Sequence, residues 1–288
     1  MKNIAFSLLI LLLIVFSCTE INDVILPGDK PVIEAFLAPG QKVSMTVFTE
    51  IPYSFNEEEN VSTSISGLEI IITGDDGKNL TLNEIASGHY ESSEVLGIEG
   101  TTYNMSFQYN GRTVSASTIL PVKPQGFQLS LSEIERIERD FSGGFVPGQG
   151  GFGGPGGGFQ QEDRTPIEVT WNNPDEVYHF VAAMYAEESL DPVTQFPEDE
   201  NGFTRPARRF NNQPVLTNAT NLQPQSFEYF GNYNIILYRL NPDYAALYEN
   251  NNTSTQNIST PISTISNGLG IFTGVNADTL RLTVKRAE

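Results

Sequence analysis

The single cysteine of the chain, Cys18, lies in a sequence that suggests a specific chemical fate. It follows the small residue Ser17 at the end of an apolar run, residues 4–16, and Lys2 places a positive charge ahead of that run. The run is shorter than the roughly 20 residues that a membrane-spanning helix needs, and it has the length and position of the apolar part of a signal peptide. A thiol can form a thioether to a diacylglycerol, and a small residue before it suits a signal peptidase.

This pattern resembles a bacterial lipobox, so it predicts that residues 1–17 are a signal peptide and that Cys18 is lipidated. The alternatives are an ordinary signal peptide with an unrelated cysteine and a buried apolar helix. A lone cysteine leaves no disulfide framework and no cysteine-based metal site, and several acyl chains on one residue hold a protein firmly on a membrane. We therefore expect membrane lipid as the anchor. Glu20 resembles the export tag of some Bacteroidota lipoproteins, which favours the cell surface over the periplasmic face.

Other residue types with catalytic or metal-binding chemistry are sparse or poorly spaced. The two histidines, His89 and His179, fall in different predicted domains and are interpreted as structural or surface residues. Acidic clusters at residues 57–59 and 198–200 offer oxygen ligands for a cation such as calcium, but they lack the alternating spacing and the glycine of a calcium loop. No motif for a nucleophilic serine or a zinc protease is present. We therefore expect no catalytic residues, no metal, no cofactor and no enzyme activity.

A glycine-rich insert at residues 142–160 repeats Gly-Gly-Phe and places Phe145, Phe152 and Phe159 at a spacing of seven. Residues 148–153 formally match a dinucleotide-binding pattern, but no strand precedes them and no helix with a ribose-binding acid follows. Low-complexity glycine without an apolar face favours a flexible loop. The alternative is that the three phenylalanines dock into a partner protein, with an affinity limited by the entropy of ordering the loop.

The charge of the chain excludes some partners. Its formal net charge is −19, and removal of Lys2 with the signal peptide makes the mature charge −19 − 1 = −20. Nucleic acid and anionic lipid surfaces repel a body of this charge. The charge also keeps an exposed protein soluble, so it points to no particular ligand.

Alternating apolar and polar residues predict half-buried strands along most of the chain. The clearest are residues 101–120, with a hairpin turn at Asn110-Gly111, and a second hairpin at residues 68–82 turning at residues 75–77. One short helix is expected to begin at Asn241-Pro242. Residues 129–141 remain ambiguous between helix and strand. The fold class predicted is all-β, with two tandem β-sandwich domains of immunoglobulin-like or carboxypeptidase-regulatory-like type, one short helix and a glycine-rich loop.

Composition and the positions of chain-breaking residues such as proline divide the chain into four parts. After the signal peptide at residues 1–17 we expect a tether at residues 18–27 and an N-terminal β-sandwich at residues 28–121, which ends near Pro121 and Pro124. Residues 122–288 form the second, β-rich domain, which contains the glycine-rich insert. Further strands are expected there at residues 167–171, 177–185, 233–240 and 280–286.

Three ordered stretches resemble one family. They are residues 31–40, with Pro-Val-Ile-Glu-Ala-Phe-Leu before Pro39-Gly40; residues 76–103, with Gly88-His89-Tyr90; and residues 265–272, Ile-Ser-Asn-Gly-Leu-Gly-Ile-Phe. Together they are similar to the Bacteroidota lipoproteins catalogued as domain of unknown function 4249. The resemblance implies an outer-membrane lipoprotein, often encoded beside a TonB-dependent transporter, and it brings no catalytic residues.

The leading functional hypothesis is a non-enzymatic accessory or binding lipoprotein that works with a TonB-dependent transporter or another outer-membrane barrel. A surface adhesin or structural scaffold is the second hypothesis, and a glycan or peptide hydrolase is the third. The family's closing motif, residues 267–270, is interpreted first as backbone chemistry, because glycines allow unusual dihedrals and close packing. Ligand contact by this motif is the alternative.

Overall fold

The computed structural model describes residues 30–51, 62–140, 164–195, 210–211, 213–249 and 263–287. Within them the chain is almost entirely β, with one α-helix, α1 (Pro242–Glu249). The strands in chain order are β1 (Pro31–Leu37), β2 (Lys42–Thr49), β3 (Ile70–Gly74), β4 (Asn79–Ala86), β5 (His89–Val95), β6 (Thr102–Tyr109), β7 (Arg112–Ile119), β8 (Gln125–Leu129), β9 (Glu133–Arg136), β10 (Arg139–Asp140), β11 (Ile167–Asn172), β12 (His179–Tyr185), β13 (Thr194–Gln195), β14 (Phe210–Asn211), β15 (Ala219–Leu222), β16 (Gly231–Leu240) and β17 (Leu269–Arg286). The predicted all-β class is confirmed.

The first unit is a β-sandwich built from β1 to β7, in the order β1-β2-β5-β4-β3-β6-β7. Each strand alternates buried and exposed residues, as β6 does with buried Tyr103, Met105 and Phe107. The inward residues form one hydrophobic cluster, in which Tyr90 and Tyr103 are the largest fully buried side chains. Alternation therefore produces the core directly, because successive side chains of a strand point to opposite faces.

Both predicted hairpins of this unit are confirmed. β6 and β7 pair from Thr102↔Ile119 to Tyr109↔Arg112, and the turn residues Asn110 and Gly111 have φ of +48° and +74°. These dihedrals suit the two-residue turn that matches strand twist. β3 and β4 pair across the predicted turn at residues 75–77, where Gly77 has φ of +84°.

The second unit is also a sandwich. One sheet has the order β14-β12-β16-β17, with β9 parallel to the end of β17, and the other has the order β15-β11-β8. Their facing residues form a second hydrophobic cluster that includes Trp171, Tyr233 and Leu282. The ambiguous residues 129–141 contribute strands β9 and β10, with Ile134 buried and Leu131 exposed.

The last strand, β17, belongs to both units. Its first part pairs in parallel with β1, from Val32↔Leu269 to Leu37↔Gly274, and its second part pairs antiparallel with β16, from Leu240↔Val275 to Gly231↔Val284. Phe272 packs into the first core and Leu282 into the second. A strand of 18 residues thus joins the two sandwiches through backbone hydrogen bonds on both sides of the junction.

Side chains reinforce this junction. The Thr118 hydroxyl oxygen accepts a hydrogen bond from the Asn241 side-chain amide at 3.0 Å and another from the Gly274 backbone N–H at 2.8 Å. Asn276 Nδ2 donates to the carbonyl of Pro121 at 2.9 Å. Because these bonds join the first unit to β17 and to the residue before α1, they oppose hinge motion between the two sandwiches.

The helix predicted at Asn241-Pro242 is confirmed, and it covers the outer face of the second unit's sheet. Tyr244 packs on the cluster of Phe180, Ala182 and Leu240, and its ring also meets Phe36 of the first unit edge-on at 5.5 Å between centroids. Among the described residues, no helix is long and apolar enough to cross a membrane.

Candidate functional site

The residues predicted to be lipidated or to dock into a partner lie outside the described residues; they are Cys18, Phe145, Phe152 and Phe159. The acidic clusters at residues 57–59 and 198–200 do so too. Their roles therefore stay predictions. The described residues nevertheless define where the segments that contain them leave the fold.

The two ends of the molecule follow from the direction of β17. We name the end at which β1 begins, marked by Pro31, Thr49 and Gly88, the tether end; Pro31 pairs with Thr49, and the carbonyl of Gly88 accepts from Val47. Because β17 runs parallel to β1 and continues through the second unit, it ends at the opposite end of the molecule. We name that end, marked by Gly231 and Arg286, the far tip.

These ends are well separated. The 18 residues of β17 span about 55 Å along the strand, at about 3.3 Å per residue. By contrast, 31 − 18 = 13 residue steps link Cys18 to Pro31, and they reach at most about 45 Å. A lipid on Cys18 would therefore keep the tether end near the membrane, and the far tip would be the part of the body most distant from it along β17.

Arg286 organises the far tip. Its Nε donates to Glu138 Oε2 at 3.0 Å, and its Nη2 donates to Asp191 Oδ1 at 2.6 Å. The guanidinium carbon lies 4.3 Å from the centroid of the Phe230 ring. The hydrogen bonds to Asp191 and Glu138 raise the pKa of Arg286 above its usual value. The guanidinium is therefore held in one place by two carboxylates and an aromatic face.

A second set of contacts fixes the opposite side of the tip. Glu187 Oε1 accepts from the Asn232 side-chain amide at 2.6 Å and from its backbone N–H at 3.2 Å. The Asn232 side-chain oxygen in turn accepts from the Thr283 hydroxyl at 2.9 Å. The Tyr185 hydroxyl lies 2.8 Å from the carbonyl oxygen of Phe230 and 3.0 Å from that of Ser189, so its single proton is shared between these two acceptors. Burial raises the pKa of this phenol.

Between these two sets of residues lies an open pocket of about 430 Å³. The residues that line it include Tyr185, the acids Glu187 and Asp191, and the bases Lys285 and Arg286. Its size falls in the range of small-molecule sites. The sequence did not indicate this site, because its residues come from three segments that lie up to 286 − 185 = 101 positions apart in the chain.

Two of the segments of the second unit that fall outside the described residues, 141–163 and 196–209, follow residues that lie beside this pocket. β10 ends at Asp140, the residue before the first of these segments, and pairs with β13, whose Gln195 precedes the other. Gln195 Nε2 donates to Glu138 Oε1 at 2.6 Å, and Glu138 binds Arg286. The predicted docking phenylalanines thus belong to a segment that begins at the far tip.

The two histidines lie in different units, as expected. His89 is partly buried on β5 with its ring nitrogens 3.3 Å from the hydroxyls of Ser44 and Thr46. His179 is fully buried beside Trp171, at 5.5 Å between ring centroids. Its Nδ1 lies 3.0 Å from the carbonyl of Val177, which makes Nδ1 the donor and Nε2 the unprotonated nitrogen. Burial lowers the pKa of His179.

The closing motif at residues 267–270 has a backbone role in the structure. Asn267 and Gly270 have φ of +56° and +96°, and any Cβ at Gly270 would clash with the backbone of Ile33. The Asn267 side-chain amide donates to the carbonyl of Thr113 at 2.9 Å. The motif therefore starts β17 close against β1 and β7. Within the described parts of the chain, no group of three or more His, Cys, Asp or Glu residues could hold a metal ion.

Residues 19–281 match the family described as Domain of unknown function (DUF4249), and the chain belongs to that family. The match ends before Lys285 and Arg286, so two of the pocket's charged residues follow the matched region. No curated protein matches the chain at a significant level.

Solved structures with a similar fold include a two fibronectin type-III domain segment from chicken tenascin, at 12% identity and a TM-score of 0.24, covering 88% of this chain and 99% of that one. The Escherichia coli adhesin FdeC is 12% identical with a TM-score of 0.21, covering 74% of this chain and 60% of its own. The Yersinia pseudotuberculosis adhesin InvE is 11% identical with a TM-score of 0.21, covering 89% and 60%. These likenesses concern the all-β fold alone.

Proposed function

We propose that the chain is an exported lipoprotein, anchored in the outer membrane through Cys18, that acts as a non-enzymatic binding module beside a TonB-dependent transporter or another outer-membrane barrel. The observation that supports this proposal most is the course of β17. It is hydrogen-bonded into both sandwiches and separates the tether end from the far tip. A lipid at one end and an open pocket at the other are the arrangement that a tethered binding module needs.

The polar junction supports the same proposal. Thr118, Asn241 and Asn276 join the units by hydrogen bonds, so the far tip is held at a fixed position relative to the tether end. A fixed body reduces the entropy that ordering would cost when a partner binds. The acidic charge of the chain keeps the body off anionic lipid, which leaves the far tip accessible.

Purification from gently solubilised outer membranes tests the partnership. A tagged full-length chain should recover an outer-membrane barrel in stoichiometric amount, and a Cys18→Ala chain should recover much less, because it is no longer held beside the barrel. The Glu94→Gln variant, at an exposed position of the first unit, is the matched control and should recover as much barrel as the wild type. A chain that always purifies alone contradicts the proposal.

The face of the membrane can be tested with thiol chemistry. Because Cys18 is the only cysteine and a thioether would block it, a Ser189→Cys chain would have one free thiol, at an exposed position of the far tip. A maleimide that cannot cross the outer membrane should label this thiol on intact cells. Labelling only after the cells are broken would place the body on the periplasmic side.

A surface adhesin is the second candidate, and one observation favours it. If force pulls the tether end and the far tip apart, β1 and β17 are pulled in opposite directions along a parallel ladder of six residue pairs. All hydrogen bonds of that ladder then resist the force together. A deletion strain that loses attachment but keeps all nutrient uptake would favour the adhesin over the transporter accessory.

A further inference from the structure

The walls of the far-tip pocket combine opposite charges in equal number. Its lining contains the acids Glu187 and Asp191 and the bases Lys285 and Arg286, so its formal charge is zero in a chain of net charge −19. Arg286 is bonded to Asp191, and Lys285 Nζ lies 2.6 Å from Glu133 Oε2. A charged ligand would be attracted by one set of these groups and repelled by the other.

The polar groups are also held in place before any ligand arrives. Arg286 is fixed by its two carboxylate partners and by Phe230, and Glu187 is fixed by Asn232. Neither residue needs to give up a large freedom of rotation on binding, and this lowers the entropic cost of association. The wall thus offers fixed hydrogen-bond acceptors and fixed donors side by side.

Gly231 keeps the pocket open. Its φ is +121°, and a Cβ there would lie 3.0 Å from Glu187 Cγ and 3.2 Å from the Tyr185 hydroxyl. Glycine therefore leaves the space between the carboxylate and the phenol ring free. The half-buried Tyr185 ring, together with Phe230 and Val284, supplies apolar surface beside the charged groups of the wall.

This wall matches a ligand without net charge that donates to carboxylates, accepts from a guanidinium and an ammonium, and offers C–H groups to an aromatic ring. Hydroxyl groups both donate and accept, and a sugar ring combines many hydroxyls with an apolar C–H face. A volume of about 430 Å³ accommodates one or two sugar residues.

We infer that the far-tip pocket is a binding site for a neutral sugar, with Glu187 and Asp191 accepting from its hydroxyls, Lys285 and Arg286 donating to them, and Tyr185 against its ring. This inference deepens the proposed binding-module function and rests on the far tip being the binding end. It assigns a ligand class to the pocket independently of any barrel partner.

The test uses the full mature chain, purified in a detergent without a sugar headgroup so that the detergent cannot occupy the pocket. Titration calorimetry with maltose, cellobiose and xylobiose probes neutral sugars, and galacturonic acid and glucosamine probe charged ones. Saturable binding of at least one neutral disaccharide is expected, and no stronger binding of either charged sugar.

Two exposed positions provide variants that should not disturb the core. Glu187→Gln removes an acceptor from the wall and should weaken binding at least about tenfold, and Ser189→Trp should block the opening and abolish it. Glu94→Gln, in the first unit, should bind as the wild type does. Melting curves establish that each variant is folded.

Three results would overturn the inference. They are the absence of saturable binding of every neutral disaccharide up to tens of millimolar, equal binding by the pocket variants, and a preference for a charged sugar. If a barrel still co-purifies with a chain that binds no sugar, the sugar inference fails and the accessory function stands. If sugar binds but no barrel is recovered, the accessory function fails and the sugar inference stands.

Discussion

Gly270 of the last strand lies opposite Ile33 of the first in the parallel ladder, so close that the Ile33 backbone leaves no room for a side chain at position 270. The two residues are 270 − 33 = 237 positions apart in the chain. This contact determines how tightly β17 approaches β1, and it explains why a glycine is found in the closing motif.

A Gly270→Ala substitution should therefore be severely destabilising. It forces a side chain into a backbone conformation with φ of +96° and into the backbone of Ile33, and together these should lower the free energy of unfolding by about 3 kcal/mol or more. Gly40→Ala is the matched control, because its φ is +69° but a Cβ there meets nothing within 4 Å; it should cost only about 1–2 kcal/mol. Equal losses in denaturant titrations would show that the close approach is unimportant.

The shared strand predicts that the two units unfold together. Trp171, the sole tryptophan, is buried in the second core, so its fluorescence reports on the second unit. Met105→Ala, in the first core, should lower stability by about 2–5 kcal/mol and should shift the fluorescence midpoint as far as the circular dichroism midpoint. Ile71→Ala, at an exposed position of the same sandwich, should move neither. An unchanged Trp171 transition in the Met105 variant would mean that the units are independent.

Burial of His179 predicts a loss of stability in mild acid. The pKa of His179 is lowered in the fold, whereas the unfolded chain binds the proton with a pKa of about 6.5. The unfolded state therefore takes up more protons as the pH falls below about 6.5, and the free energy of unfolding decreases by at most about 1.4 kcal/mol per pH unit from this residue. Urea titrations between pH 7 and 5.5 measure the slope.

Variants isolate the contribution of this one group. His179→Phe should have a shallower pH slope than the wild type, whatever its absolute stability. His89→Gln is the control and should retain the slope, because His179 is still present. If the slopes of His179→Phe and the wild type coincide, the buried histidine does not govern the acid response.

The proposed lipidation of Cys18 predicts that its substitution moves the protein out of the membrane fraction. Cys18→Ala should lose incorporation of labelled palmitate and leave the membrane fraction, because no acyl chain then holds the body. Ser17→Ala keeps a small residue before the cysteine and should remain lipidated and membrane-bound. Unchanged membrane association of the Cys18 variant in the presence of a cleaved signal peptide would contradict the anchor.

Local features of the fold could be predicted from the sequence because they depend on neighbouring residues. Asn110-Gly111 specifies its own turn, and the alternation from residue 101 to 120 assigns one face to the core. Leu280, Leu282 and Val284 likewise indicated the end of β17. The parallel pairing of Leu269–Gly274 with β1 could not be predicted, because nothing near these residues specifies a partner strand more than 200 positions away.

The far tip could not be predicted from the sequence for the same reason. Arg286 meets Asp191 and Glu138 across 95 and 148 positions, and each of these residues alone looks like an ordinary surface charge. The helical spacing of Leu131, Ile134 and Ile137 was equally uninformative, since Ile134 is buried while Leu131 is exposed. The spacing of apolar residues therefore predicts which of them are buried only when the whole segment packs against one layer of the fold.

The separation of β17 from β1 by more than 200 positions has a consequence for folding during synthesis. The first sandwich lacks the neighbour of β1 and the buried Phe272 until residues 269–274 have been made. A nascent chain therefore keeps the β1 edge and part of the first core open until residues 269–274 are available. If the chain is exported as proposed, this late closure keeps the first sandwich incomplete, and so suitable for translocation in an unfolded state, until these residues have been synthesised.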